Sequence, residues 1–248
     1  MKLLLDIGNS SVNWALEVDG QFISVDAFAY EKDNIEQGLQ DKLQLMQKPS
    51  QVLIANVAGN NIFNKLETWV RKQWQLECWQ PEVSEKFNRL KNSYSITQEM
   101  GIDRWLAMIA AWEKYQTSLC VVGCGTALTI DAIDDEGNHL GGYIIPGIEL
   151  MQQALIAKTE CINVATNKYA SIEYAQSTQA AINNGAFLAA TAIIDRVVTQ
   201  LSNESNTQPK CIISGGMAAL ISPLLQESFE HEPNLVLSGL LIVNEAAL

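Results

Sequence analysis

Apolar residues along the chain gather in short runs that alternate with longer stretches of helical period. Leu3 to Gly8 reads as an apolar strand ending in a glycine turn, and Ser11 to Glu17 and Phe22 to Phe28 read as two more strands joined at Asp19-Gly20. Far along the chain the same opening returns. Leu119 to Gly123 is an apolar strand, Gly125-Thr126 a turn, and Leu128 to Ile133 and Leu140 to Ile145 a strand pair joined around Glu136-Gly137. Gly8 and Gly125 lie 117 positions apart, as do the hairpin glycines Gly20 and Gly137, so one offset superposes both turns. A meander used twice predicts two domains of similar topology, 1–116 and 117–248.

After each meander the period changes. The first half predicts helices over Lys32 to Met46 and Asn61 to Trp74, with strands over Gln51 to Ala55 and Leu76 to Trp79. The second half predicts helices over Gly147 to Ala157, Thr178 to Leu201 and Gly216 to Gln226, with a strand over Lys210 to Ser214. Between the halves, Ile102, Leu106 and Ile109, with Trp105, Met108 and Trp112, recur at helical spacing, which predicts a core-facing helix over Ile102 to Tyr115. Ser202 to Thr207 is polar and turn-rich, the composition of an exposed loop. Strands alternating with helices indicate an α/β class, with mixed sheets flanked by helices.

Composition narrows the function. A net charge of −12 with no basic patch disfavours nucleic acid and anionic membrane, because both polyanions would be repelled. Asp6 follows only three leucines, so the amino terminus lacks the apolar stretch of a signal peptide, and Asp195-Arg196 interrupts the apolar segment from Ala186 to Val198. A cytoplasmic protein is expected. The five cysteines, at 78, 120, 124, 161 and 211, are odd in number and include no C-x-x-C pair, which fits neither a disulfide framework nor a zinc site. They read as reduced, mostly buried thiols. The two histidines, His139 and His231, read as exposed loop residues without a catalytic part.

The glycine turns carry the chemistry. In Asp6-Ile7-Gly8-Asn9-Ser10-Ser11 a carboxylate ends a strand, and a glycine and small polar side chains form the tip that follows. Glycine lets the backbone approach phosphate closely, amides and hydroxyls can donate to phosphoryl oxygens, and the aspartate can hold Mg2+ directly or through water. Gly123-Cys124-Gly125-Thr126 offers a second tip, with Asp131 on the next strand. One such turn alone is an ordinary hairpin. Two at a fixed offset, both with polar tips, favour a nucleotide clamp whose halves face one another across a cleft.

Gly101-Ile102-Asp103-Arg104 opens the central helix, where exposed amides favour negative groups. Asp103 by itself is a helix cap. It can also accept the proton of an alcohol attacking a phosphoryl group, with Arg104 grasping a carboxylate or phosphoryl oxygen rather than a surface partner.

Asp6-Ile7-Gly8-Asn9-Ser10, Gly101-Ile102-Asp103-Arg104, Gly125-Thr126-Ala127-Leu128-Thr129-Ile130-Asp131 and Gly141-Gly142-Tyr143-Ile144-Ile145-Pro146-Gly147 together resemble type III pantothenate kinases, in order and spacing over nearly the whole chain. The resemblance implies a duplicated ribonuclease H-like fold of the actin/Hsp70/sugar-kinase superfamily and a homodimer. It also implies ATP and Mg2+ as cofactors and transfer of phosphate to the 4'-hydroxyl of pantothenate, the entry to coenzyme A synthesis. Position by position, it implies Asp103 as the general base, Gly101, Ile102, Asp103 and Arg104 as substrate contacts, and Tyr94 bordering pantothenate. It implies Thr178 reaching pantothenate from the partner subunit. Asp6, Ile7, Gly8, Asn9, Ser10, Ser11, Val12 and Asn13 match the first ATP loop, with Asp6 near the metal, and Thr126 matches a phosphate contact. Taken alone, Tyr94 is a packing residue and Ser177 or Thr178 a helix cap. The family also implies a monovalent cation, K+ or NH4+, but where its members commonly open the second loop with aspartate this chain has Gly123, which supplies no carboxylate. A non-catalytic regulatory relative, a related small-molecule kinase and a ligand-free structural module are the alternatives.

Overall fold

The structure, a computed structural model, describes residues 1–31, 34–157, 169–205 and 208–247. Its strands are β1 (Lys2–Ile7), β2 (Ser11–Val18), β3 (Gln21–Ala29), β4 (Gln51–Asn56), β5 (Cys78–Trp79), β6 (Lys86–Phe87), β7 (Leu90–Lys91), β8 (Leu119–Cys124), β9 (Ala127–Ile133), β10 (His139–Pro146), β11 (Lys210–Ser214) and β12 (Phe229–His231). The helices are α1 (Ile35–Leu43), α2 (Asn60–Trp74), α3 (Ile102–Tyr115), α4 (Ile148–Ile156), α5 (Thr178–Ser205), α6 (Ala218–Ile221) and α7 (Leu235–Ala246). Two compact units result: Met1–Ser84 with Ile96–Ala110 and Leu235–Leu248, and Glu85–Ser95 with Ala111–Asn234.

The first unit is built on a five-stranded sheet of order β3-β2-β1-β4-β5. β1 and β2, and β2 and β3, pair antiparallel, whereas β4 runs parallel to β1 and to β5. Side chains alternate across the sheet. Leu3, Leu5 and Ile7 therefore share one face, packed with Ile35, Leu39 and Leu43 of α1 and Ile62, Leu66, Val70 and Trp74 of α2. Leu4 turns to the other face, with Ala15, Leu53, Ala55, Leu106 of α3 and Leu237, Leu240 and Leu241 of α7. Asp6 shares the parity of Leu4, which aims it toward the side that α3 covers.

The second unit repeats the plan as β10-β9-β8-β11-β12, again with two antiparallel and two parallel pairings. Cys120, Val122 and Cys124 face Phe187, Ala190, Ile194 and Val198 of α5. The hairpin glycines hold the same left-handed conformation in both halves, φ +80° at Gly20 and +87° at Gly137. A Cβ on Gly137 would also stand 2.8 Å from the Arg89 carbonyl oxygen and from the Trp112 ring. The tips differ in length. Residues 8–11 separate the paired Ile7 and Val12, but only residues 125–127 separate Cys124 and Leu128, so the second tip is shorter by one.

Several expectations need correction. The stretch from Ser202 is not wholly a loop, because α5 runs to Ser205; Asn206 and Thr207, like Cys161 and the start of the helix expected from Lys32, lie outside the described residues. The helix expected over Gly216 to Gln226 shortens to α6 and a 3-10 turn at Ser222–Leu224. His139 is no exposed loop residue: it opens β10 pointing inward, 3% exposed, whereas His231 is exposed on β12. The four described cysteines are free thiols, and burial pushes Cys78 and Cys124 up to about 12. Among the described residues no helix is long and apolar enough to cross a membrane.

Candidate active site

In the first unit the strand end, the tip and the start of α3 form one chemical group. Asn13 stands opposite Asp6 across the β1–β2 ladder, and its Nδ2 donates to Asp6 Oδ2 at 3.1 Å. Asp6 keeps part of its surface open, yet the protein packed around it strips away much of its hydration. That burial pushes its carboxyl from 3.8 up to about 7; the Asn13 hydrogen bond opposes the rise and the charge of Asp103 adds to it. Asp103 is therefore near enough to Asp6 for the two carboxylates to feel one another.

The tip is held from beneath. The Tyr30 hydroxyl donates to the Gly8 carbonyl oxygen at 2.6 Å, the Tyr30 N–H donates to the Ser10 carbonyl at 3.1 Å, and the Gly8 N–H donates to the Ser11 carbonyl at 3.0 Å. Tyr30, buried at the end of β3, was not singled out in the sequence; a lone tyrosine after a strand carries no signal of this use. Asn9 and Ser10 are exposed, whereas Ile7 and Val12 are buried in the core beside α1 and α2 and offer a ligand only their backbone.

At the head of α3, Asp103 Oδ1 accepts from the Arg104 N–H at 2.8 Å, which fixes the carboxylate's direction. Gly101 is small for a reason: a Cβ there would lie 2.6 Å from that same Oδ1. Ile102 packs into the core around Leu4 and Leu106, so its side chain serves the fold. Arg104 is only 5% exposed and is not a surface ion pair.

The second unit holds Thr126, Tyr94 and Thr178. Gly125 and Thr126 are exposed at the shorter tip, where the Gly147 N–H, just ahead of α4, donates to the Thr126 carbonyl at 2.9 Å. Space for a side chain at 147 is taken by the Gly125 carbonyl oxygen. The turn after β11 lies against the same tip: the Met217 N–H donates to the Cys124 carbonyl at 3.2 Å, and a Cβ on Gly215, whose φ is +98°, would come within 2.5 Å of that oxygen. Gly216 meets open space. The Gly-Gly pair at the end of a parallel strand is the sequence signal that could have marked this turn. Asp131 does not face the tip; it is buried and bonded to His139. At Gly123 a Cβ would stand 2.6 Å from the Thr129 hydroxyl oxygen, so that hydroxyl occupies the room a side chain would need.

Thr178 begins α5, but the cap is Ser177, whose Oγ accepts from the Ala180 N–H at 3.2 Å; Thr178 itself is exposed. Nearby, Leu150, Leu155, Leu188 and Tyr174 are exposed, and Met151, Leu155, Ala181, Ile182, Gly185 and Ala186 line a groove of about 360 Å³.

Two sheets of matching strand order, each with a glycine and hydroxyl tip, define a duplicated α/β protein of ribonuclease H-like arrangement. Solved structures agree on the fold. A Baf family transcriptional activator from Campylobacter jejuni superposes with TM-score 0.60 at 22% identity, covering 99% of this chain and 100% of that one. A 2-dehydro-3-deoxygalactonokinase protein from Sinorhizobium meliloti superposes at 0.56 with 13% identity, covering 100% and 99%. The sequence profile described as type III pantothenate kinase matches residues 2–200. The type III pantothenate kinase of Nitrosococcus oceani is 38% identical over 248 residues, 97% of this chain and 92% of that protein, and that of Nitrosospira multiformis 34% over 242, 97% and 90%. The chain belongs to the type III pantothenate kinase family.

Proposed function

We propose that the chain transfers the γ-phosphoryl group of ATP to the 4'-hydroxyl of pantothenate, the first step of coenzyme A synthesis. The observation that carries this function is the nearness of Asp6, at the end of a glycine-tipped strand, to Asp103 at the head of a helix, whose charge helps to raise the Asp6 carboxyl. Phosphoryl transfer asks a protein for alignment and charge stabilisation rather than covalent chemistry. Asp103 is the general base, its carboxylate oriented by the Arg104 N–H, and it takes the hydroxyl proton as the oxygen attacks phosphorus. Residues 6–13 bind the polyphosphate through backbone amides and the Asn9, Ser10 and Ser11 side chains, and Thr126 adds a contact from the second tip. Arg104 and Tyr94 bound pantothenate. Residues 1–116 and 117–248 are the duplicated halves, which the matching strand orders support.

Asp6 with Asn13 supplies a carboxylate and an amide, a donor set suited to Mg2+, which keeps most of its ligands as water and phosphate. Bound there, Mg2+ would neutralise charge on the phosphates. Position 123 does not fit a monovalent cation, because it lacks a carboxylate and the Thr129 hydroxyl fills its space. The enzyme works in the cytoplasm as a homodimer, with the partner subunit covering the apolar face near α4 and α5 and Thr178 at its edge.

A coupled ATP assay tests this assignment. Wild-type protein should phosphorylate pantothenate in preference to sugars or acetate, with no need for potassium, and Asp103→Asn should lower turnover roughly 10²–10⁴-fold with the melting temperature unchanged. Near-normal turnover in that variant would remove Asp103 from the role.

A further inference from the structure

His139 has no place in the phosphoryl transfer above, yet its surroundings are more elaborate than packing requires. Its side chain is fully buried, and that of Asp131 is 3% exposed. The Nε2 atom lies 3.0 Å from Asp131 Oδ1, and Nδ1 lies 3.0 Å from the Ser93 Oγ. In the neutral tautomer that donates from Nε2 to Asp131, Nδ1 accepts from the Ser93 hydroxyl. The chain of bonds thus runs from a buried carboxylate to a serine on an exposed loop.

What lies beyond Ser93 gives the chain a purpose. Tyr94, the next residue, lays its ring against the His139 ring, with centroids 6.1 Å apart and planes 21° from parallel. The stretch leading to it is tied to the β9–β10 turn: the Lys91 N–H donates to the Gly137 carbonyl at 2.8 Å and Lys91 Nζ to Asn138 Oδ1 at 2.9 Å, while within the stretch the Tyr94 N–H donates to Asn92 Oδ1 at 3.0 Å. One imidazole therefore meets two consecutive residues, Ser93 by hydrogen bond and Tyr94 by stacking. A buried Asp–His pair brings no reliable gain in stability over well-packed apolar side chains, and the best-attested reason to keep such a pair is to hold one geometry against others.

We infer that Ser93 and His139, anchored on Asp131, are positioning residues that fix the Tyr94 ring as a wall of the acceptor site. The inference rests on the assignment of Tyr94 to pantothenate. In their absence Tyr94 would lose the stacked partner that sets its ring plane, and pantothenate would lose binding while ATP would not.

Removing His139 would take a hydrogen bond from the buried Asp131 carboxylate and endanger folding, so the test falls on Ser93, which is exposed. Steady-state kinetics are measured with each substrate varied in turn, beside thermal melts, for Ser93→Ala, Ser93→Thr, Tyr94→Ala and the Ser93→Ala/Tyr94→Ala pair. Loss of one hydrogen bond should raise KM for pantothenate by about 2- to 10-fold in Ser93→Ala. KM for ATP should stay at its wild-type value, the melting temperature should fall only by the few degrees that one unpaired buried imidazole nitrogen costs, and threonine, which restores a hydroxyl, should recover both losses. In the Tyr94→Ala background the serine change should add nothing further, the signature of two residues acting as one. An unchanged pantothenate KM in Ser93→Ala alongside a raised one in Tyr94→Ala overturns the positioning role and leaves Tyr94 in the site. The same follows if the two effects simply add, or if the serine change shifts both KM values together. An unchanged pantothenate KM in Tyr94→Ala itself removes Tyr94 from the acceptor site, and the inference falls with it.

Discussion

Asp6, the carboxylate proposed to stand near the metal, carries a cost in stability. Its carboxyl is raised from 3.8 to about 7 in the folded protein, so between those values the folded state holds a proton that the unfolded state has released. Folding stability must then fall as pH rises through that window, and the penalty is complete above about pH 7. At roughly 1.4 kcal/mol per pH unit, the ceiling is about 4 kcal/mol. Metal-free Asp6→Asn should therefore melt at a higher temperature than wild type at pH 8, with the gap closing toward pH 4, while its kinase activity collapses; equal melting temperatures at pH 8 would show that Asp6 is comfortably hydrated. The sequence made Asp6 and Asp103 legible because strand-end and helix-start positions are visible in one dimension. His139 was not legible. Its use depends on Asp131, eight positions earlier but directly reachable on the neighbouring strand, and on Ser93, which is 46 positions away.

At the scale of elements, the strands and helices with a clear period were legible and those without one were not. β1 to β4 and β8 to β11 fall within a residue or two of their expected bounds: β1, β2, β4, β8, β9 and β11 carry buried faces, whereas β3 and β10 are mostly exposed and were marked by the glycine turns that join them to β2 and β9. α7 gave no usable signal: Leu235–Ala246 is apolar almost all round, a pattern that cannot separate a buried helix from a strand. Its Gly239 explains how it fits. A Cβ there would collide with the Leu106 carbonyl oxygen, a backbone atom of α3 that cannot swing aside, so the two helices meet at van der Waals distance through the glycine. Gly239→Val should push them apart and lower stability by about 1–3 kcal/mol or more, read as a fall in the urea midpoint. Because Asp103 heads the same α3, turnover should fall along with stability. The two-residue strands β6 and β7 also escaped notice, since a pair so short has no alternation to detect.

For the whole molecule, repetition carried most of the information. Two pairs of glycines at a shared offset anticipated two sheets with the same strand order, and composition alone would not have done so. Association is where the chain's surface speaks. Leu155 and Leu188 are each 50% exposed beside an apolar groove, more than an isolated subunit gains from leaving in water. Sedimentation should find twice the 27.3 kDa of one chain, and Leu188→Glu should yield a folded species of single mass with weakened pantothenate binding; a wild-type protein of single mass at micromolar concentration would leave Thr178 without its proposed task. The unequal tips set a limit on how far the halves can be exchanged. Grafting the four residues 8–11 in place of 125–127 would lengthen the second hairpin by one. A strand displaced by a single residue presents its opposite side. If the added residue passes into β9 instead of staying in the turn, Asp131 turns away from His139, and the chimera loses the support proposed for Tyr94.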